Sequence, residues 1–252
     1  GPESQPTVNA VKGGLSITEY VWEAYKRAWA LAIAVGVRGD IMRSAPFSHE
    51  SAEFQFRGFY DKTVESEFDA EIRQEAEKIS GTDKVMDIVL PDGKPELVIY
   101  NEDSITINDC LSACKITGIG WHAFRTWNDT YRAKLFSAGT GIETSVNDLR
   151  LFAKRVRNLE RAYDVRLGLT REMETLPKRF LEKPLRGFEG EPKTYPPVTE
   201  KVLEEMKDVY YKLRGWDVGT GIPTRETLEA MDLTEVAEDL EKEGRQPAAV
   251  SA

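Results

Sequence analysis

The sequence predicts a mainly α fold, an irregular helical body with one small β-hairpin inserted in it. Apolar residues recur at i, i+3 and i+4 from Ile17 to Ala32, from Val146 to Tyr163 and from Val202 to Leu213, the period of helices with one buried side. Candidate caps bracket the last two runs, Ser145 with Gly168 and Thr199 with Gly215, since Ser and Thr open helices and Gly closes them. Only Lys84–Ile107 reads as paired strands.

In order along the chain, Gly1–Gly14 is polar and rich in Pro and Gly, an extended lead-in. Ser16 or Thr18 is expected to cap a first helix built on Ile17, Tyr20, Val21, Ala24, Ala28, Leu31 and Ala32, with Gly36 and Gly39 at its end. A second helix is expected over Glu65–Ile79. The expected hairpin pairs Val85–Leu90 with Glu96–Tyr100 around the turn residues Pro91-Asp92-Gly93-Lys94-Pro95. After it, Ser145 opens a long helix with Asp148 in its first turn, where the dipole favours an acid. Its apolar stripe is Val146, Leu149, Phe152, Val156, Leu159 and Tyr163. An irregular, proline-rich connection covers Leu176–Pro197. Thr199 opens the next helix, with Val202, Leu203, Met206, Val209, Tyr210 and Leu213 on its buried side. Thr224 and Thr234 start two short acidic helices. The expected division is a helical domain part with the hairpin over residues 1–108, a C-terminal helical domain over 109–245, and a disordered tail over 246–252.

Composition narrows the function. The formal net charge of -9 repels nucleic-acid phosphates and anionic lipid, so no nucleic-acid partner is expected. The long apolar run Tyr20–Val35 carries Glu23, Lys26 and Arg27, which marks a core helix and not a membrane span. Two cysteines, Cys110 and Cys114, are too few for a disulfide scaffold. The chain starts at Gly1-Pro2 with no initiator Met and no signal-like run, so it is expected either to be a fragment or processed piece or to carry a start that is not native.

Two constellations hold candidate chemistry. Asp109-Cys110-Leu111-Ser112-Ala113-Cys114-Lys115 puts one carboxylate and two thiols beside the glycine-rich Ile116–Gly120. Such a thiol completes a metal or iron–sulfur site when other ligands come from elsewhere, or is a small buried apolar group. Arg38-Gly39-Asp40 with Arg43 either cradles a phosphate or ends a helix. His49 and His122 have no metal-ligand spacing, and no catalytic triad, P-loop or dinucleotide fingerprint is present.

Three further blocks are Arg157-Asn158-Leu159-Glu160-Arg161-Ala162-Tyr163-Asp164-Val165-Arg166-Leu167-Gly168-Leu169, then Thr175-Leu176-Pro177-Lys178-Arg179-Phe180, then Tyr210-Tyr211-Lys212-Leu213-Arg214-Gly215-Trp216-Asp217 followed by Gly221-Ile222-Pro223-Thr224. In this order and spacing they resemble the C-terminal helical domains of the aldehyde ferredoxin oxidoreductase family of tungstopterin enzymes. Ala30–Ala34 leading to Arg38-Gly39 resembles a further segment of that family.

The resemblance implies a tungsten (or molybdenum) bis-pterin centre and a 4Fe-4S cluster. Asp109 and Cys114 match the first and last positions of the family's Asp-x-x-Gly-Leu-Cys motif, which implies a pterin contact for Asp109 and a cluster ligand at Cys114. Lys115, Arg38 and Arg43 are the remaining candidate cofactor contacts; no catalytic residue is assigned. Ser112-Ala113 stands where the motif has Gly-Leu, so a different local turn is expected. Met42 stands near the position where aldehyde-oxidising members carry a His, and a thioether moves no proton. The family's other cluster cysteines and its pterin-base domain have no match here, and one thiolate does not replace four. The implied partners are therefore an N-terminal portion or subunit carrying the pterin-base domain and three further cysteines, and a ferredoxin or iron–sulfur electron-transfer subunit, in an anaerobic, reducing cytoplasm. The implied reaction is oxidation of an aldehyde to its carboxylate with ferredoxin as acceptor. Two alternatives are a benzoyl-CoA-reductase-like enzyme acting on an acyl-CoA thioester, to which Met42 and weakly Ala138–Glu143 point, and a non-catalytic scaffold subunit.

Overall fold

The structure, a computed structural model, describes residues 11–12, 15–16, 26–36, 50, 62–113, 128–185 and 194–245. It is mainly helical. A two-residue pair β1 (Val11–Lys12) and β2 (Leu15–Ser16) is antiparallel, with Val11 opposite Ser16. The helices are α1 (Arg27–Val35), α2 (Lys62–Ser80), α3 (Lys94–Cys110), α4 (Asp129–Thr140), α5 (Val146–Arg166), α6 (Lys178–Glu182), α7 (Glu200–Arg214), α8 (Arg225–Glu229) and α9 (Thr234–Lys242). Two compact units are formed: one from the described residues up to Glu102 with Glu174–Lys207, the other from those of Asp103–Met173 with Asp208 onward.

In the first unit, α1 is buried on every side. It starts at Arg27, and Lys26, its N-cap residue, makes no capping hydrogen bond through its side chain; the expected start at Ser16 or Thr18 runs into residues 17–25, which lie outside the described residues. The cap comes from afar: Ala28 N donates to Glu50 Oε1 at 3.2 Å and Trp29 N to Glu50 Oε2 at 3.1 Å. Lys94 Nζ donates to Glu50 Oε1 and to the Val85 carbonyl, each at 2.5 Å. An anion at a helix N-terminus with a paired ammonium satisfies donors that burial would otherwise leave without water. Burial lowers the Arg27 pKa, with Glu50 and then Asp87 opposing; its guanidinium donates to the carbonyls of Pro196 and Pro197.

The expected hairpin over Lys84–Ile107 is absent: Asp83–Met86 is a 3-10 turn and Lys94–Cys110 is helix. Pro95 sits in the first turn of α3, where no N–H is needed. Gly93 precedes it at φ +73°, and a Cβ there would meet Ser80 Cβ at 2.6 Å, so the bend requires glycine. Leu97, Val98, Ile105 and Ile107 are all buried. Each buried aliphatic side chain contributes about 1.5–3 kcal/mol, against helix-propensity penalties below about 0.7 kcal/mol. Burial therefore overrides the β-branched composition.

In the second unit the Ser145 cap is present with its full capping box. Gly168 closes α5 with Leu169 N on Asp164 O and Gly168 N on Val165 O, both 2.9 Å. The expected stripe of α5 is only partly its buried side. Leu149 is buried, with Ala153, Ala162 and Val165, but Phe152, Leu159 and Tyr163 are exposed. One core gathers Ala162, Val165, Leu228, Leu233, Ala237 and Leu240. Another gathers Ile107, Ala133, Leu149 and Ala153. On α7, Leu203 and Met206 of the first unit and Tyr210 and Tyr211 of the second are buried, whereas Val209 and Leu213 are exposed. No helix among the described residues is long and apolar enough to cross a membrane.

Candidate functional site: the end of helix α3

The second half of α3 is polar and buried. Asp103, Thr106 and Asn108 are each at most 4% exposed, an arrangement tolerated only when partners are supplied. Asp103 Oδ1 accepts from Arg214 Nη1 at 2.7 Å, with side chains 3% and 2% exposed. Ser104 Oγ accepts from Arg150 Nη2 at 2.9 Å. Arg150 Nε donates to Asp129 Oδ2 at 2.5 Å, and Asp129 Oδ1 also holds Arg132 at 2.8 Å. Asp129 lies in the first turn of α4, the favoured end for an acid. With Ile107 packed on Ala133, Leu149 and Ala153, the helix is fixed in register up to its last turn.

That last turn carries the candidate residues. Ala113 N bonds to Asn108 O at 2.9 Å and Ser112 N to Asp109 O at 3.1 Å, with Ser112 at φ +55°. These two bonds are the paired closure of a helix through a left-handed residue, a place usually held by glycine. Ser112, at the position where the motif has Gly, adopts the left-handed conformation, at a cost of about 1–2 kcal/mol for a residue with a Cβ.

Asp109 and Cys110 are exposed. Asp109 places a carboxylate in the final turn of a helix whose last turn contains no basic residue. That end of the dipole is negative, so the carboxylate is unfavourable there by about 0.3–1 kcal/mol. A strained serine and a misplaced acid on an otherwise well-anchored helix are the kind of local conflict kept for function. Cys114, Lys115, Arg38, Arg43 and Met42 lie outside the described residues, as do Trp121 and both histidines.

Among the described residues no group of three or more His, Cys, Asp or Glu is placed to hold a metal ion. An exposed carboxylate on a rigid support instead fits a polar contact to a group whose metal ligands come from elsewhere.

The first and third of the blocks that carry the family resemblance converge elsewhere in the same unit. Arg161 lies 4.5 Å from the Trp216 ring centroid and 5.5 Å from that of Tyr211, and its Nε donates to Gly221 O at 2.8 Å. Trp216 Nε1 donates to Asn158 Oδ1 at 2.8 Å. Arg171 lies 5.2 Å from the Tyr211 centroid and pairs with Asp208 at 2.7 Å. Gly221 has φ +72°, and a Cβ on it would collide with Arg161 Nη2 and Tyr211. These are stacking contacts of a structural knot. Sequence reasoning missed the anchoring pairs Asp103–Arg214 and Asp129–Arg150. Arg214 stood in a quoted block, but Asp103 lay in the stretch read as strand.

The sequence matches the family described as aldehyde ferredoxin oxidoreductase, domains 2 and 3, over residues 2–233. The chain belongs to that family. The tungsten-containing aldehyde ferredoxin oxidoreductase of Thermococcus kodakarensis is 36% identical over 147 residues, which cover 58% of this chain and 22% of the relative. The enzyme of the same name from Pyrococcus furiosus is 35% identical over 145 residues, 57% of this chain and 22% of its own length. The matched stretch is thus about a fifth of these aldehyde ferredoxin oxidoreductases. A solved active-site complex of benzoyl coenzyme A reductase with 1,5-dienoyl-CoA shares the fold, with a TM-score of 0.63 and 24% identity over 89% of this chain and 32% of that one.

Proposed function

We propose that this chain forms the helical cover of a tungsten-dependent oxidoreductase site that oxidises an aldehyde to its carboxylate, with ferredoxin as electron acceptor, in a reducing cytoplasm. Family membership over residues 2–233 supports it, as do relatives that are tungsten-containing aldehyde ferredoxin oxidoreductases. The single observation that carries the site is Asp109, exposed and held against the helix dipole at the end of a firmly anchored α3.

A tungsten (or molybdenum) bis-pterin and a 4Fe-4S cluster, when bound, would supply the redox chemistry. The share of this chain is to hold and shield. Asp109 accepts hydrogen bonds from a pterin. Cys114 gives the cluster a thiolate, beside Lys115. Arg38 and Arg43 supply positive charge to pterin phosphates. The pterin base and three further cluster cysteines come from an N-terminal portion or a partner subunit, which the small share of the relatives covered here supports.

Met42, in place of a proton-carrying His, favours a second reading: reduction of an acyl-CoA thioester in the manner of benzoyl-CoA reductase. Tungsten and iron analysis of the native protein, with and without Cys114→Ala, tests both readings. Tungsten and iron in the native form, with iron lost in the variant, is the expected result. Absence of both metals would mark a scaffold subunit without catalysis. Turnover with aldehyde and oxidised ferredoxin, set against turnover with an aromatic acyl-CoA and reduced ferredoxin, separates the two enzymes.

A further inference from the structure

Helix α5 carries an apolar row that the cores of its unit leave exposed. Leu149, Ala153, Ala162 and Val165 enter the cores of their unit. Phe152, Val156, Leu159 and Tyr163 follow one another at intervals of 4, 3 and 4 residues, which lines them up as a straight seam. Of these, Phe152 is 46%, Leu159 47% and Tyr163 60% exposed. Arg155 and Glu160 border the seam. Large apolar side chains singly exposed are ordinary; three exposed in one row of a helix with a charged border have the anatomy of an interface.

We infer that this seam is the surface on which the first domain of the family fold docks, in the same polypeptide or in a partner. The inference rests on the reading proposed above, that a further portion completes the active site, and it says where that portion attaches. The match to domains 2 and 3 takes up residues 2–233 and leaves the first domain of the family without a counterpart here. The occupant therefore presents an apolar face to Phe152, Leu159 and Tyr163, with polar groups toward Arg155 and Glu160.

Hydroxyl-radical footprinting of the protein as purified from its native cells, set beside the isolated 252-residue chain, tests this. Phe152 and Tyr163 should be oxidised about tenfold more slowly in the native form, the scale of losing solvent at an interface core. Equal rates in the two forms would overturn the inference. So would slowing in the isolated chain that grows with concentration while its sedimenting mass doubles, because the occupant would then be a second copy. Phe152→Glu with Leu159→Glu should leave the unfolding midpoint of the isolated chain in place; a collapse of that midpoint would assign the seam to the core and sink the proposal. Tungsten analysis of the same native preparation separates the two claims. Tungsten with an unprotected seam removes the docking surface and leaves the function; a protected seam without tungsten does the reverse.

Discussion

The knot around Arg161 and the end of α3 belong to the same compact unit but follow opposite rules. In the knot every feature agrees. Arg161 stacks on Trp216 and Tyr211 and bonds to the Gly221 carbonyl, and glycine occupies the position where a side chain would collide. At the end of α3 the support agrees but the tip does not. A carboxylate faces the wrong end of the helix dipole, and a serine adopts a conformation that suits glycine. The residues that carry the family resemblance most visibly build the scaffold, whereas Asp109 and Ser112 stand where local stability is sacrificed.

The comparison breaks most readily at the support of α3. Asp103→Ala leaves the Arg214 guanidinium buried without its carboxylate, and should cost about 3–5 kcal/mol in denaturant unfolding. A loss below about 1 kcal/mol, the value of an exposed pair, would mean that the helix is not held as described. In the knot, Gly221→Ala introduces a Cβ against Arg161 and Tyr211 at positive φ. It should cost about 2–4 kcal/mol, from backbone strain and overpacking together. The sign reverses at the tip of α3. Ser112→Gly should stabilise the chain by about 0.5–1 kcal/mol, the relief of left-handed strain less the added backbone entropy of glycine. The smallest effect belongs to the capping box of α5. The Ser145 side chain and then its backbone N–H hold the Asp148 pKa below the ordinary carboxylate range. A lowered folded-state pKa gives stability that is fully present above the ordinary carboxylate range and drains away as pH falls through the lowered value. The stability gap between the chain and its Ser145→Ala variant should therefore be constant near neutrality and narrow in acid to the part due to the Asp148 N–H cap bond, read from urea midpoints across that range.

What was legible in the sequence was local. Ser145 with Asp148, Gly168 and Gly215 each act within one helical turn, and the structure has all of them at helix ends. The hairpin over Lys84–Ile107 was misread because β-branched residues report a preference that burial of Val98, Ile105 and Ile107 outweighs. The stripe of α5 was misread for a different reason. Periodicity shows that Phe152, Val156, Leu159 and Tyr163 share a face, but not whether that face meets the core. The cap of α1 was invisible because its acid, Glu50, comes from another segment. Of the site, Asp109 was legible through the family motif. Its anchor was not, since Asp103 and Arg214 lie 111 residues apart and meet only in the folded chain.

The central claim is that the tip of α3 gives up stability to hold a cofactor, and Asp109→Asn tests it in both directions. Removing the charge should raise the stability of the isolated chain by about 0.3–1 kcal/mol, while the tungsten-to-protein ratio of the native assembly falls. Unchanged tungsten in a variant that folds as well as the parent would contradict the account.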